Sequence, residues 1–547
     1  MTETKPIESE KAYAVDSSIV TSGSDVEYSG GEIKQTHRGL KPRHVTMIGI
    51  SGAIGTGLFI GTGGALAKAG PLGLILGYAV YGLLILSSFN AMGEMVSYLP
   101  IDGSYLRFAT RFVDPSYGFA LGWVAFYNNA VTVAAEATAV TGLVAFWNDT
   151  ISPGVWCALF LASALILNIL GVRFFGEGEF WFSIFKVLLV FMLFFFTLIT
   201  MSGGNPQGEA FGFSAWKAGA MSEYISTGSL GQFLGFWSVF IQAAFAYGGP
   251  DFLAMTAGEA KYPRRVLPLV FRRVIYRLLA FYIGGVLCVG ILVRHDDPLL
   301  GTAQKGAGSS PFVLAAVRMG IPVLPSVINA LILTSAWSCG ICLSYTASRN
   351  IYSNALNGVA PAFFKRTWRG VPYFCVLAVV VVGLLSFMTL SNGAAEAFAW
   401  ITNLLGGLWI LNMALQHIIY IRFRAGLSAQ GIDRKTLPFY RRGQLYYSWA
   451  SLFGYSIIFL TNGFAVFTKG NWSIRGFFFA YLTLPCFLIF YFGHKIYSVI
   501  RNGARWGILR PDEMDLTSGK AEIDEEEKSY PPIGASKTAK FNHWLWG

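Results

Sequence analysis

Apolar residues in this chain come in long runs, not in the alternation of half-buried strands or the narrow stripes of soluble helices. Twelve runs approach the roughly 20 residues that a bilayer-crossing helix needs. They fall near 45–67, 71–98, 118–147, 154–172, 180–202 and 232–256, then 274–293, 322–348, 372–391, 395–420, 446–468 and 474–497. Polar segments flank them. Residues 1–43, rich in Ser, Glu, Lys and Gly, read as a disordered N-terminal tail, and 498–547 as a second tail. The pattern predicts an all-α polytopic membrane protein with a twelve-span domain over 44–497.

Two of the runs carry residues that weaken a helix. The first contains GISGAIGTGLFIGTGG, with glycine at 49, 52, 55, 57, 61, 63 and 64. The sixth contains FIQAAFAYGGPDFLAMTAGEA, with Gly248, Gly249, Pro250 and Asp251 at mid-depth. Proline removes a donor and clashes with the preceding turn, and paired glycines relax the helix. Interruptions five spans apart are the sequence sign of a transporter built from inverted repeats, with its site at the midplane. An unwound helix frees backbone N–H groups, and the half-helix that follows carries partial positive charge at its start. The segment Ser51, Gly52, Ala53, Gly55, Thr56 and Gly57 therefore suits a carboxylate, with the Ser51 and Thr56 hydroxyls in reach. The carbonyls around Ala244 to Tyr247, including Phe245 and Ala246, suit an ammonium. A ligand with both groups on one carbon is an α-amino acid.

Composition agrees. Hydrophobic residues make up 54% and charged residues 13%, against about 25% charged in soluble domains. The net charge of +11 does not point to nucleic acid, because the basic residues sit in short loops. With the N-terminus inside, nineteen Lys and Arg lie on the inner side and seven on the outer, so both termini are expected to be cytoplasmic. The six cysteines all fall within apolar runs, and Cys339 and Cys342 read as two small buried thiols. No metal site, cofactor motif, paired catalytic carboxylates or serine elbow emerges, so no enzyme is expected.

Charges at bilayer depth are expensive and are functional candidates by default. Glu136, mid-way along the third run, is the clearest; removal from water disfavours a charged carboxylate, so it is a candidate proton carrier. Lys186 enters the fifth run after Glu177 and Glu179 and reads either as functional or as snorkelling to the membrane surface. Asp251 reads as a cap on the second half of span 6 or as a partner of the substrate ammonium. Glu94 and Glu259 read as gate or loop ion pairs, and His44, His417 and His494 as interfacial. Phe245, Tyr247 and Trp400 are the aromatic candidates for the pocket and its lid.

The stretches GISGAIGTGLFIGTG, NAMGEM, LPIDGSYLRFATRFVDPSYGFALGW, GEGEFWFSIFKV and FAYGGPDFLAMTAGEAKYPRRVLP resemble the fungal amino-acid permeases of the amino acid–polyamine–organocation superfamily. VLPSVINALILTSAWS and AYLTLPCFLIFYFGHKIY are most similar to the proline permeases of yeasts. The resemblance implies a LeuT-like five-plus-five inverted repeat, with repeat one at about 45–202, repeat two at about 232–420 and peripheral spans over 446–497. It implies proton-driven uptake of proline and other small neutral amino acids at the plasma membrane, with the proton gradient in place of any cofactor. It places a glutamate at Glu136, and implies that the Lys186 ammonium reaches the span 1 break, where sodium-driven relatives hold sodium. It also implies ubiquitin ligase machinery acting on tail lysines such as Lys5, Lys11 and Lys34. Many relatives carry Glu where this chain has Asp251 and a non-proline residue at Pro250. A broader or other-class amino-acid permease, or a transporter-like amino-acid sensor, are the competing readings.

Overall fold

The computed structural model describes residues 38–51, 54–300, 310–392, 394–532 and 536. Among them the chain is almost wholly helical, as backbone groups in lipid require when no closed barrel forms. Span 1 starts as Pro42–Ser51, resumes as the wide-turned helix Gly57–Gly61, and continues into Thr62–Tyr98. Gly70, at φ 70° and ψ 171°, divides that last helix into the end of span 1 and span 2. Pro71 follows, so the left-handed turn and the missing donor fall together. Spans 3, 4 and 5 are Pro115–Val144, Pro153–Ile169 and Val172–Met201. Span 6 is Gly228–Tyr247 and, after a break, Asp251–Met255. Span 7 runs through Pro263–Arg277, Leu278–Ile283 and Gly284–Leu292. Spans 8 to 11 are Leu324–Leu356, the segment opening with Tyr373–Gly383, Ala394–Ala429 and Gln444–Leu460. Span 12 joins Ile474–Tyr481 to Thr483–Asn502.

Among the described residues all twelve apolar runs form helices, but eight helices are long and apolar enough to cross a membrane by length and composition alone, with the end of span 1 and span 2 counted together as Gly57–Tyr98. Spans 4 and 11 are short, and span 3 is diluted by inward-facing polar residues such as Asn128, Asn129 and Glu136.

The packing repeats itself under a shift of five spans. Span 1 packs on span 5 and span 6 on span 10; span 1 also meets span 7, and span 2 meets span 6. Span 3 meets spans 4 and 10, matched by span 8 against spans 9 and 5, and the pairs 3·8 and 4·9 map onto themselves. Because five spans is an odd number, the second repeat enters from the opposite side, and the arrangement is the inverted repeat of a LeuT-like fold.

Two expectations about the periphery change. His417 is fully buried in span 10, where Ser88 Oγ lies 3.0 Å from its Nε2 and 3.1 Å from the Tyr455 hydroxyl. The second tail is in part packed. Met514, Leu516 and Ile523 are buried, and Arg264 binds Asp524 and Glu527 while Arg38 binds Glu526 at 2.7 Å. Removing the chain after residue 508 is expected to lower the melting temperature of the detergent-purified protein, since each such side chain contributes about 1.5–3 kcal/mol when buried. An unchanged midpoint in a fluorescence melting assay would show that this segment adds nothing to stability.

Candidate functional site

Span 1 breaks where water cannot reach its backbone, so the freed groups need partners from elsewhere in the protein. They have them. The Gly49 carbonyl accepts from Arg277 Nη1 at 3.0 Å, and that of Ile54 from Ser335 Oγ at 3.1 Å. The Gly57 carbonyl accepts from Gln242 Nε2 at 3.1 Å, and that of Phe59 from Ser310 Oγ at 2.7 Å. On the donor side, the Thr56 N–H points at Glu136 Oε1, 3.3 Å away. Spans 3, 6, 7 and 8 and the cap of the Pro311–Arg318 helix thus each hold one group of the break.

Gly55 and Gly57 are among the glycines of the motif that allow close approach. A Cβ on Gly55 would overlap Cys339 Sγ and the Glu136 carboxylate, and one on Gly57 would lie 2.6 Å from the Ala246 Cα. Span 6 ends its first half at Tyr247; Gly248 then turns at φ 60°, ψ −153°, and the helix restarts at Asp251. The last carbonyls of that first half have no partner one turn on. At Gly57 and Ala246 the two interrupted spans meet backbone to backbone.

A small cavity opens at this crossing, lined by Gly55, Gly57, Thr132, Glu136, Phe245, Ala246, Gly248, Phe252, Cys339, Leu343 and Trp409. Its wall mixes apolar and aromatic side chains with Thr132, Cys339 and one carboxyl group. Glu136 is 2% exposed, and its Oε2, like Thr56 Oγ1, has no hydrogen-bond partner among the described residues.

The structure brings Gly55, Gly57, Glu136, Phe245, Ala246 and Gly248 together at the cavity, with Thr56 behind Glu136. Gly52 and Ala53, and the side chains of Ser51 and Trp400, lie outside the described residues. Tyr247 does not face the cavity. Its hydroxyl donates to the Tyr78 carbonyl at 2.8 Å, and its ring packs on Tyr78, Tyr81 and Tyr282. The reason is helical geometry: two residues on, a side chain has rotated about 200° from Phe245, so both cannot point into one pocket. Asp251 does not act through a side-chain cap. Its oxygens accept from Asn412 and Gln416 at 2.6 Å each and from Tyr105 at 3.2 Å, which ties span 10 to the restart of span 6. Pro250 and Gly249 shape the turn before it; a Cβ on Gly249 would crowd Met413 and Trp409.

Lys186 does not snorkel. It is 1% exposed and pairs with Glu179 Oε1 at 3.7 Å, two turns back on span 5, while Glu179 Oε2 accepts from Ser338 Oγ at 2.7 Å. Glu94 and Glu259 are indeed ion-paired, with Arg434 at 2.5 Å and Arg349 at 3.1 Å. The sequence reading missed Trp409, Phe252, Ser335, Gln242 and Arg277. For Ser335, Gln242 and Arg277 the available signal was a lone polar side chain inside an apolar run.

Two broken helices that cross around a small polar-bottomed cavity, inside a five-plus-five bundle, define a membrane transporter. Residues 44–503 match the family described as amino acid permease, and the chain belongs to that family. It is similar to a proline-specific permease of Saccharomyces cerevisiae, 40% identical over 91% of this chain and 81% of that protein. It is also similar to one of Emericella nidulans, 40% identical over 90% of this chain and 91% of that protein. A dicarboxylic amino acid permease of Saccharomyces cerevisiae is 36% identical over 94% of this chain and 84% of its own length. Among solved structures, a manganese transporter of Eremococcus coleocola shares the fold, with a TM-score of 0.54 at 12% identity, over 85% of this chain and 94% of that one. The protein is a multi-pass membrane transporter that binds amino-acid substrates, and it is not an enzyme.

Proposed function

We propose that this permease takes up proline and other small neutral amino acids across the plasma membrane, driven by protons, with both termini cytoplasmic. The cavity carries the reading. Phe245, Phe252 and Trp409 wall a small space, and among the described residues that line it the ionisable groups are Glu136 and the Cys339 thiol. A small apolar ring fits such a wall. A glutamate side chain would bring a second negative charge beside Glu136 with no cation in the lining, and a lysine side chain would compete with the proton for that carboxylate, so a substrate without side-chain charge fits best. Substrate carboxylate meets the N–H groups at the start of the second half of span 1, and substrate ammonium meets the carbonyls that close the first half of span 6. The proline-specific relatives support the same choice, while the dicarboxylic relative shows that family membership alone does not set the substrate.

Glu136 supplies the coupling. Ionised, it holds the Thr56 N–H that a substrate carboxylate would take. Protonated, it releases that donor and loses the charge that repels the substrate, so proton and amino acid bind together. A ligand moves a two-state carrier only by binding its states unequally, and the doubly loaded state is the one that reorients. Lys186, paired with Glu179 beside span 1, serves as a fixed cation, so sodium is not required. Tail regulation through a ubiquitin ligase belongs to the same proposal; Lys5, Lys11 and Lys34 lie outside the described residues.

The test is radiolabelled uptake in cells lacking their own amino-acid permeases. Proline uptake is expected to saturate, to fall as external pH rises and to be indifferent to sodium. Excess proline or alanine should compete, and arginine or glutamate should not. Uptake that followed sodium and ignored pH would refute the proton mechanism. Stronger competition by arginine would refute the substrate class.

A further inference from the structure

Arg277 is a buried cation that neither substrate binding nor proton coupling employs. It is 3% exposed in span 7, and among the described residues no carboxylate pairs with it. By charge it counts as an inner-loop residue, yet it lies inside the protein. An arginine cannot shed its proton to escape such a place, and an uncompensated buried charge costs several kcal/mol. What surrounds it is specific. Nη1 donates to the Gly49 carbonyl at 3.0 Å, in the last turn of Pro42–Ser51, where a helix carries partial negative charge. The guanidinium lies 4.8 Å from the Phe89 ring centre and 5.9 Å from that of Tyr282. Nε and Nη2 have no hydrogen-bond partner among the described residues.

The neighbourhood joins both interruptions. Gly49 lets span 7 come close, because a Cβ there would run into Val270. Tyr282, also on span 7, packs against Tyr247 with ring centres 4.2 Å apart, and Tyr247 is the last residue before the span 6 break. One cation therefore holds the broken end of span 1 against the helix that braces the broken end of span 6.

We propose that Arg277 is a positioning residue for transport: it caps the first half of span 1 and fixes the register of that half against span 7, and so the distance between the two breaks. The proposal rests on the reading of the crossing at Gly57 and Ala246 as the substrate site. Without the guanidinium the Gly49 carbonyl loses its donor, the half-helix drifts, and the N–H groups after Ile54 no longer face the span 6 carbonyls together. Substrate affinity then falls even though Arg277 never touches substrate.

The experiment measures proline uptake kinetics and surface abundance for the full-length protein in cells without other permeases. Arg277→Met is expected to raise KM about tenfold, as loss of a charge-assisted hydrogen bond would. Arg277→Lys, which keeps the charge and one donor, should stay within about threefold of wild type. Gly49→Ala pushes the half-helix off Val270 without touching any charge and should raise KM in the same direction, so the test survives if Arg277→Met fails to reach the surface. A purely structural arginine would lower surface amount and maximal rate with KM unchanged, and would not distinguish Lys from Met. Unchanged KM in Arg277→Met and Gly49→Ala, or equal KM for Lys and Met, would overturn the assignment. If the wild type itself fails to take up proline, the substrate reading falls instead, and the two failures are told apart.

Discussion

Replacing Glu136 with Gln is expected to leave proline binding nearly intact while abolishing its accumulation against a gradient. The geometry gives the reason. Glu136 Oε1 lies 3.3 Å from the Thr56 N–H, the donor best placed for a substrate carboxylate. Two carboxylates about 4 Å apart repel by about 4 kcal/mol at an effective dielectric constant of about 20. In the proposed mechanism, protonation of Glu136 removes that repulsion and so links the two ligands. Glutamine mimics the protonated acid permanently, so substrate can bind but no proton need come with it. A gradient of about two pH units is worth about 2.7 kcal/mol, or about 100-fold in concentration. Wild type should approach that ratio in proteoliposomes, whereas Glu136→Gln should level off near equal concentrations and show no pH dependence. Counterflow exchange of labelled proline should persist in the variant, within about threefold of wild type, because exchange needs no net proton movement. Gradient-driven accumulation by Glu136→Gln would remove this residue from the coupling mechanism.

The two interruptions were legible because they are written locally. Glycine density in 49–64 and the Gly248-Gly249-Pro250 run are composition signals that need no partner. Glu136 was legible for a related reason, since a carboxyl group in the middle of an apolar run stands out wherever the helix points. The groups that hold the breaks open were not. Ser335, Gln242 and Arg277 lie 281, 185 and 228 positions from the carbonyls they serve, and single-sequence patterns carry no information about such pairings. Tyr247 was misjudged for a reason that elementary geometry could have supplied. Residues two apart on a helix diverge by about 200°, so choosing Phe245 for the cavity excludes its neighbour's ring. The second tail shows a subtler limit. Its acidic cluster and the basic loop at Arg264 and Arg265 are complementary in the sequence, but only the fold places Asp524 and Glu527 against Arg264.

Adding one methyl group at Gly57 is expected to cost more than any other small change in the opening glycine motif. Its Cβ would sit 2.6 Å from the Ala246 Cα and 3.1 Å from the Ala246 N and Phe245 Cδ1. Two of these atoms are backbone, so no rotamer change relieves the contact, and spans 1 and 6 must separate at the crossing proposed to hold the substrate. Overpacking of this kind costs about 1–3 kcal/mol, and here it falls directly on the distance between the carboxylate and ammonium sites. Proline uptake per molecule at the surface should drop about tenfold or more in Gly57→Ala. Gly64 is the matched control: it lies in the same helix, and an added Cβ meets nothing within 4 Å. Gly64→Ala should transport like wild type and be slightly more stable, because alanine favours helix over glycine by about 1 kcal/mol. The contrast separates two reasons for a glycine in a membrane helix, flexibility and room. If flexibility of the whole motif were the requirement, both substitutions would impair transport alike. If room at the crossing is the requirement, only Gly57→Ala fails, and the crossing of the two broken spans is the place where this permease handles its substrate.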